Sequence, residues 1–185
     1  MDVIEAIFAR RSTREFKNEP VAHDVIKAAI ASAIEAPSAM NEQPWIFSVI
    51  EDQRLLDRIS NAAKAHMLEL ETASASPVRQ MLNDPAFHIF YHAPVLVVIS
   101  AKGEGRWAVE DCALAAENLM LAACDAGLGS CWIGFAQAWL QTEQGRALLG
   151  LSPRDLPVAP VILGHPKTPI GPVPRRPADI RWIGA

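Results

Sequence analysis

Several things are scarce in this sequence, and each shortage narrows what the protein does. Cysteine occurs three times in 185 residues, at Cys112, Cys124 and Cys131, without a C-x-x-C pair. So sparse and unpatterned a set supports neither a disulfide framework nor a structural zinc site. Basic residues form no long run and the net charge is −4, which speaks against general nucleic-acid binding. The longest strongly apolar run, Ala93 to Ser100, is far too short to span a bilayer. The chain opens Met-Asp-Val-Ile-Glu, with an acid where a secretory signal carries positive charge. A cytoplasmic protein with no membrane partner is the expectation. No G-x-G-x-x-G and no Walker A sequence occurs, so the dinucleotide and P-loop fingerprints both fail. Aromatic residues make up only 6%.

What is present is globular. Half of the residues are hydrophobic and 21% are charged, the composition of a folded domain. The length suits one well-buried domain spanning residues 1–185. Asp2 is a candidate N-cap for a helix with Val3, Ile4, Ile7 and Phe8 on one face. Ala22, Val25, Ile26, Ala29, Ile30, Ala33 and Ile34 repeat at helical spacing until Pro37. Trp45 to Ile50 reads as a strand, and Leu55 to Leu70 as another helix. Residues 72 to 88 read as irregular and as a candidate lid. Ala93 to Ser100 is a buried strand, Trp107 to Ala126 a long alanine-rich helix ended by Gly127, and Ser130 to Phe135 a third strand. A short helix over Thr142 to Leu149 and a strand over Val158 to Gly164 follow. The last twenty residues hold five prolines and form no compact unit. This order predicts an α+β domain with a central mixed sheet flanked by helices.

Three segments carry candidate chemistry. Arg10, Arg11, Ser12 and Arg14 place three guanidiniums and a hydroxyl within five residues, a set that matches phosphate oxygens. Cations at a helix C-terminus also favour the helix dipole, and alone the cluster does not choose between these roles. Pro37-Ser38-Ala39-Met40-Asn41-Glu42-Gln43-Pro44-Trp45 is a loop whose small and amide residues suit either a flat polar ring or an ordinary helix-to-strand connection. Gly127-Leu-Gly-Ser-Cys-Trp-Ile-Gly134 permits close backbone approach to a ligand.

Taken in order, the Arg-Arg-Ser-x-Arg, Pro-Ser-x-x-Asn-x-Gln-Pro-Trp and Gly-Leu-Gly-Ser-x-Trp-Ile-Gly segments, with Gly164-His165-Pro166 and Arg175-Arg176 near the end, resemble the nitroreductase family of FMN enzymes over nearly the whole chain. The resemblance implies the nitroreductase-like fold as a domain-swapped homodimer, in which a tail from about residue 167 to 185 wraps onto the partner and the long helix from Trp107 packs at the interface. It implies bound FMN, with NAD(P)H reducing a nitroaromatic, quinone or similar small acceptor by ping-pong hydride transfer. Arg10, Ser12 and Arg176 would hold the phosphate, with Arg11 and Arg175 nearby, and Arg14 would sit at the N1–O2 side of the ring. Pro37, Ser38, Ala39, Asn41 and Gln43 belong to the loop that would reach across from the other subunit. Trp132, Ile133 and Gly134 would present backbone groups to the ring.

The flavin carries the chemistry, so no side chain is named as catalytic. Ile133 stands where some members carry an acid, which leaves other reactions of the same fold open: heterocycle dehydrogenation, reductive dehalogenation, or FMN sensing and storage without turnover. Phe87, Phe90 and Tyr91 are candidates for a substrate pocket over the flavin, or equally for core. His88 and His92 are four apart, a spacing that holds zinc on a helix, but no third ligand of suitable spacing is evident and no metal is expected.

Overall fold

The computed structural model describes residues 1–71, 76–103 and 105–184. A four-stranded sheet lies at its centre, ordered β1 (Trp45–Ile50), β2 (Val95–Ala101), β4 (Leu156–Gly164), β3 (Gly129–Trp132). All three pairings are antiparallel. The parallel component expected of a mixed sheet is confined to an isolated bridge between Ser12 and Ser130.

Strand β2 is buried at every position because helices cover both faces of the sheet. Its side chains alternate in direction. Val95, Val97, Ile99 and Ala101 pack with α2 (His23–Ala33) and α5 (Ala108–Asp125). Leu96 and Val98 pack with α3 (Gln53–Leu70) and α6 (Gly134–Leu140). That two-sided burial is why β2 reads as a continuous apolar run rather than an alternating one. Strand β4 carries Pro157 and Pro160 inside the sheet, where proline cannot donate to the ladder. The register slips between Ile99 and Ser100 opposite them, a bulge that lets β4 begin at Leu156 rather than at Val158.

The helices follow the sequence pattern with instructive exceptions. Asp2 and Glu5 close a capping box at α1 (Val3–Ala9), yet the expected apolar face points outward. Only Ala6 is buried, while Phe8 is 73% exposed. In α5 the residues expected inward, Cys112, Ala115, Ala116, Leu119, Met120 and Ala123, are all buried. That face is therefore satisfied within the chain, and what remains exposed on and beside α5 is Trp107, Val109 and Leu114. Gly127 closes the helix at φ 75°, a conformation open to glycine.

Two expectations are corrected. The stretch expected to be irregular, 72–88, holds a helix: Ser76 caps α4 (Pro77–Asn83), with Pro77 in its first turn, while 84–88 is neither helix nor strand, as expected. Arg79 ties that helix to the end of α3 by donating to the carbonyls of Leu68 and Glu71. The rest of the expected lid, 72–75, lies outside the described residues. The strand expected to run to Phe135 stops at Trp132, because Gly134 and Phe135 open α6. The short helix α7 (Glu143–Leu148) is capped by Thr142, whose hydroxyl accepts from Gly145. No helix among the described residues is long and apolar enough to cross a membrane.

The Pro37–Trp45 loop is held by one buried acid that the sequence reading did not single out. Asp111, 4% exposed in the first turn of α5, accepts from the Ala39 amide at 2.9 Å. Its backbone carbonyl accepts from the Trp45 indole at 3.0 Å. Between these anchors Met40, Asn41 and Gln43 all take positive φ. Asp111→Ala is expected to lower the free energy of unfolding by about 1 kcal/mol, the low end of the cost of stranding a donor, because the Ala39 amide is only part-buried. It should also open the loop to protease near Met40. Asp111→Asn keeps an acceptor oxygen and should lose much less. Urea denaturation and limited proteolysis of both variants check this, and equal losses would show that the loop does not hang on that acceptor.

Candidate active site

After α1 the chain runs extended along the end of β3. The Thr13 amide donates to the Ser130 carbonyl at 2.9 Å, and the Lys17 amide donates to that of His165 at 2.9 Å. Extended backbone alternates its side chains: Thr13 is buried, while Ser12 and Arg14 face outward. The approach is close because residue 129 is glycine. A Cβ there would lie 2.6 Å from Thr13 Oγ1. Gly129 thus serves packing between two backbone segments rather than approach to a ligand. A Cβ at Gly134, by contrast, would meet nothing within 4 Å, so that backbone is open to a flat partner.

The arginines divide their work. Arg11 donates to the carbonyls of Phe8 at 2.6 Å and Arg10 at 2.8 Å, and to Gly171 at 3.1 Å. It thereby takes the helix-capping role and fastens the tail. Arg10 makes one long ion pair, 3.6 Å to Glu117. The Arg14 guanidinium lies 5.9 Å from the centroid of the Tyr91 ring, within cation–π range.

Two cavities meet at Arg14. The first, of about 270 Å³, is lined by Arg10, Arg11, Ser12, Arg14 and Arg175, with Ile170 and Val173 from the tail. No carboxylate lines it among the described residues. Arg176 is exposed and is not among the lining residues; Arg175 occupies that place in the single chain. The second, of about 300 Å³, is lined by Arg14, Met67, Tyr91, Cys131, Trp132, Ile133, Gly134 and Phe135. Phe87 packs edge-on against Tyr91 and Phe135 behind it. Phe90 does not belong there: it is fully buried, in the core between α3 and the sheet, so the structural alternative holds for that residue.

Backbone donors in the second cavity are also sorted. The Ile133 amide donates to the Pro160 carbonyl at 2.7 Å. Gly134 opens α6, where an amide has no acceptor within its own helix. Cys131 is buried, and its burial pushes the thiol above its usual range against the pull of Arg14, Ser12 and Arg10. Neither cavity is lined by Pro37, Ser38, Ala39, Asn41 or Gln43. Ser38 and Asn41 instead accept from the Gln43 amide and side chain at 3.0 and 2.9 Å.

Comparison with known proteins fits this geometry. A family model described as the nitroreductase family matches residues 7–165. A protein from Methanothermobacter thermautotrophicus, provisionally named as an NADH dehydrogenase/NAD(P)H nitroreductase, is 30% identical over 171 residues, covering 90% of this chain and 78% of its own. An iodotyrosine deiodinase from Haliscomenobacter hydrossis is 32% identical over 90 residues, 48% of this chain and 40% of its own. The solved structure of a nitroreductase with bound FMN from Bacteroides fragilis covers 99% of each chain, with a TM-score of 0.86 and 26% identity. With its family model spanning most of the sequence and its fold shared end to end, this chain belongs to the nitroreductase family.

Proposed function

We propose that the protein is an FMN-dependent oxidoreductase that takes electrons from NAD(P)H and passes them to a small aromatic acceptor such as a nitroaromatic or a quinone. The observation that carries this reading is the pair of cavities joined at Arg14, one cationic and one mainly apolar and lined by aromatic residues. A phosphate on a short tether to an aromatic ring needs that combination, and the cationic cavity has no acid of its own to neutralise it. FMN, when bound, supplies hydride transfer between donor and acceptor. Arg10, Ser12 and Arg175 would bind the phosphate, with charge-assisted bonds from the guanidiniums. Arg14 would set a fixed positive charge beside the ring edge that becomes more negative on reduction, and Gly134 would offer its amide. The free thiols at Cys112, Cys124 and Cys131 suit a reducing cytoplasm.

The working unit in this reading is a homodimer with shared sites. The Pro37–Gln43 loop lines neither cavity of its own chain, and residues 167–184 are exposed throughout. Trp182 and Ile183 are 82% and 95% exposed. Apolar side chains of this size gain about 1.5–3 kcal/mol each on burial, and a partner is the available surface.

The deiodinase relative favours a second reading, reductive dehalogenation. Against it, the ring cavity offers one charge, Arg14, and no carboxylate of this chain to pair with an amino acid's ammonium. Turnover of a nitroaromatic with NADH or NADPH, set beside turnover of iodotyrosine with dithionite, separates the two.

The protein should purify yellow or turn yellow with FMN, and should bind FMN far more tightly than riboflavin in a fluorescence-quenching titration. Equal affinity for both flavins would remove the phosphate assignment. Deleting residues 167–185 should leave a monomer with reduced FMN occupancy by size-exclusion chromatography and visible absorbance; a truncated dimer that keeps its flavin would refute the wrapped tail. Arg14→Ala should keep most of its FMN while the flavin potential falls by on the order of 30 mV, equivalent to about 1.4 kcal/mol for a two-electron couple. Arg10→Ala should lose FMN occupancy with little change in potential. Spectroelectrochemical titration of the two variants decides, and an unchanged potential in Arg14→Ala would mean that Arg14 does not face the ring.

A further inference from the structure

His88 and His92 gain from the fold what the sequence did not show: a third donor. Asp57, on the outer side of α3, and the two histidines, on the turn before β2, bring one ligand atom each to within 4.8 Å of one another. His88 Nε2 stands 3.2 Å from Asp57 Oδ1. The two imidazoles stack with centroids 4.4 Å apart and planes inclined by 30°. We propose that Asp57, His88 and His92 form a surface site for a divalent transition-metal ion, with zinc as its first choice.

The bland alternative is a hydrogen-bonded His–Asp pair with a second histidine alongside by chance. The construction of the turn speaks against chance. Tyr91 and His92 are consecutive non-glycine residues with φ of 52° and 54°, a conformation that costs energy and persists only where the surroundings impose it. It curls His92 back over His88, which an extended approach to β2 would not do. The turn is also fastened to the helix that carries Asp57. The Ile89 amide donates to the buried Ser60 hydroxyl at 3.2 Å, and Lys64 Nζ donates to the carbonyls of Asp84 and Phe87 at 2.8 and 2.7 Å. The donors are thus held on two mutually braced elements before any ion arrives.

Two imidazoles and a carboxylate suit zinc, nickel or copper; magnesium and calcium prefer all-oxygen sets. Three protein donors leave a zinc ion one position for water. Tetrahedral zinc with ligands near 2.0–2.2 Å sets neighbouring donors about 3.4 Å apart, so closing the site needs a contraction of at most about 1.4 Å. The Asp57 side chain is 55% exposed and His92 is exposed, so both have room to turn without moving backbone. The proton count closes too. His88 Nδ1 now accepts from the Phe90 amide at 3.2 Å, which puts the ring proton on Nε2, facing Asp57. Ligation through Nε2 moves that proton to Nδ1 and gives up the long contact with Phe90.

The site would also act on the ring cavity, a consequence that rests on the flavin reading, whereas ion binding itself does not. Met67 of α3 and Tyr91 of the turn both wall that cavity, so an ion joining α3 to the turn fixes the two walls together.

The test is calorimetric titration of the tag-free full-length protein with zinc chloride and, separately, magnesium chloride, alongside His92→Ala and Asp57→Ala. Both substitutions are on the surface, and circular dichroism confirms their folding; His92→Gln replaces any variant that fails. Wild type should bind one zinc per chain and show no magnesium heat. Each variant should bind at least about tenfold more weakly, the lower bound seen even for residues that only support a ligand. The Phe90 amide resonance should shift with zinc in wild type. No zinc binding by wild type, unchanged affinity in His92→Ala, or equal binding of magnesium would each overturn the site. Zinc binding without any change in turnover would leave the site standing and remove only its coupling to the cavity.

Discussion

Everything at the candidate site depends on how closely the segment after α1 lies against β3. Thr13 has no room for a side chain at residue 129, and its amide is bonded to Ser130. Once Thr13 is buried there, extended geometry sends Ser12 and Arg14 the other way. Three consecutive residues then do three jobs: one packs, and its two neighbours line cavities. The same docking puts Arg14 between the cationic and the apolar cavity, which no helical continuation of α1 would achieve. Arg11 reinforces it by closing the carbonyl end of α1 and gripping Gly171 of the tail. The cost is a concentration of positive charge relieved by one long ion pair, Arg10 to Glu117 at 3.6 Å. An anion shared by the cluster would relieve it further, so the packing constraint bears directly on the proposed phosphate site.

A second imbalance lies on the outside. Val3, Ile4, Ile7 and Phe8 on α1, Trp107, Val109 and Leu114 on and beside α5, and Ile180, Trp182 and Ile183 in the tail are all exposed. Scattered apolar residues on a surface mean little, but contiguous faces mark interaction sites. The α1 face continues the helix that ends in the arginine cluster, and the tail begins beside that cluster. A partner covering these surfaces would complete the site where the single chain leaves it open, on the side where the Pro37–Gln43 loop is missing.

The sequence made the layered fold largely legible, because period-2 and period-3.6 patterns survive wherever an element is half buried. It failed where local pattern and tertiary role part company. The apolar stripe of α1 was readable, but its direction was not, since a stripe seeking a partner subunit looks like one seeking the core. Ser76-Pro77 is a sound helix start, but the surrounding small residues masked it. Trp132 to Phe135 is β-rich in composition; the Ile133 amide still bonds in register to Pro160, but proline has no amide to return that bond, and α6 opens at Gly134. The residues proposed for the cofactor rest on the order of several motifs, none decisive alone. Asp111 was missed because an acid in a first helical turn already has an adequate explanation in the dipole. Asp57 was missed as a companion to His88 and His92 because thirty-one residues separate it from the nearer histidine, and spacing rules see only local ligands.

The residues around the ring cavity also bear on what kind of chemistry this chain can contribute. Proton transfer by a side chain needs a titrating group within reach and near the working pH. The lining offers the Arg14 guanidinium, the Tyr91 phenol, and the Cys131 thiol, whose burial raises it. No carboxylate or imidazole lines the cavity among the described residues. His88 and His92 neighbour Tyr91 in sequence, but His88 is turned toward Asp57 on the outer side of α3. On the proposed function, an acceptor's proton would come from the Tyr91 phenol, from water or from the partner subunit rather than from a carboxylate or imidazole of the described lining. The chain's own contribution is shape and a fixed charge: apolar walls that admit a flat ring, and one cation at its edge. Such a site selects by planarity and electron demand more than by hydrogen-bond pattern. On the proposed function, that would favour electron-poor aromatics as a class over any single substrate with a dense polar outline.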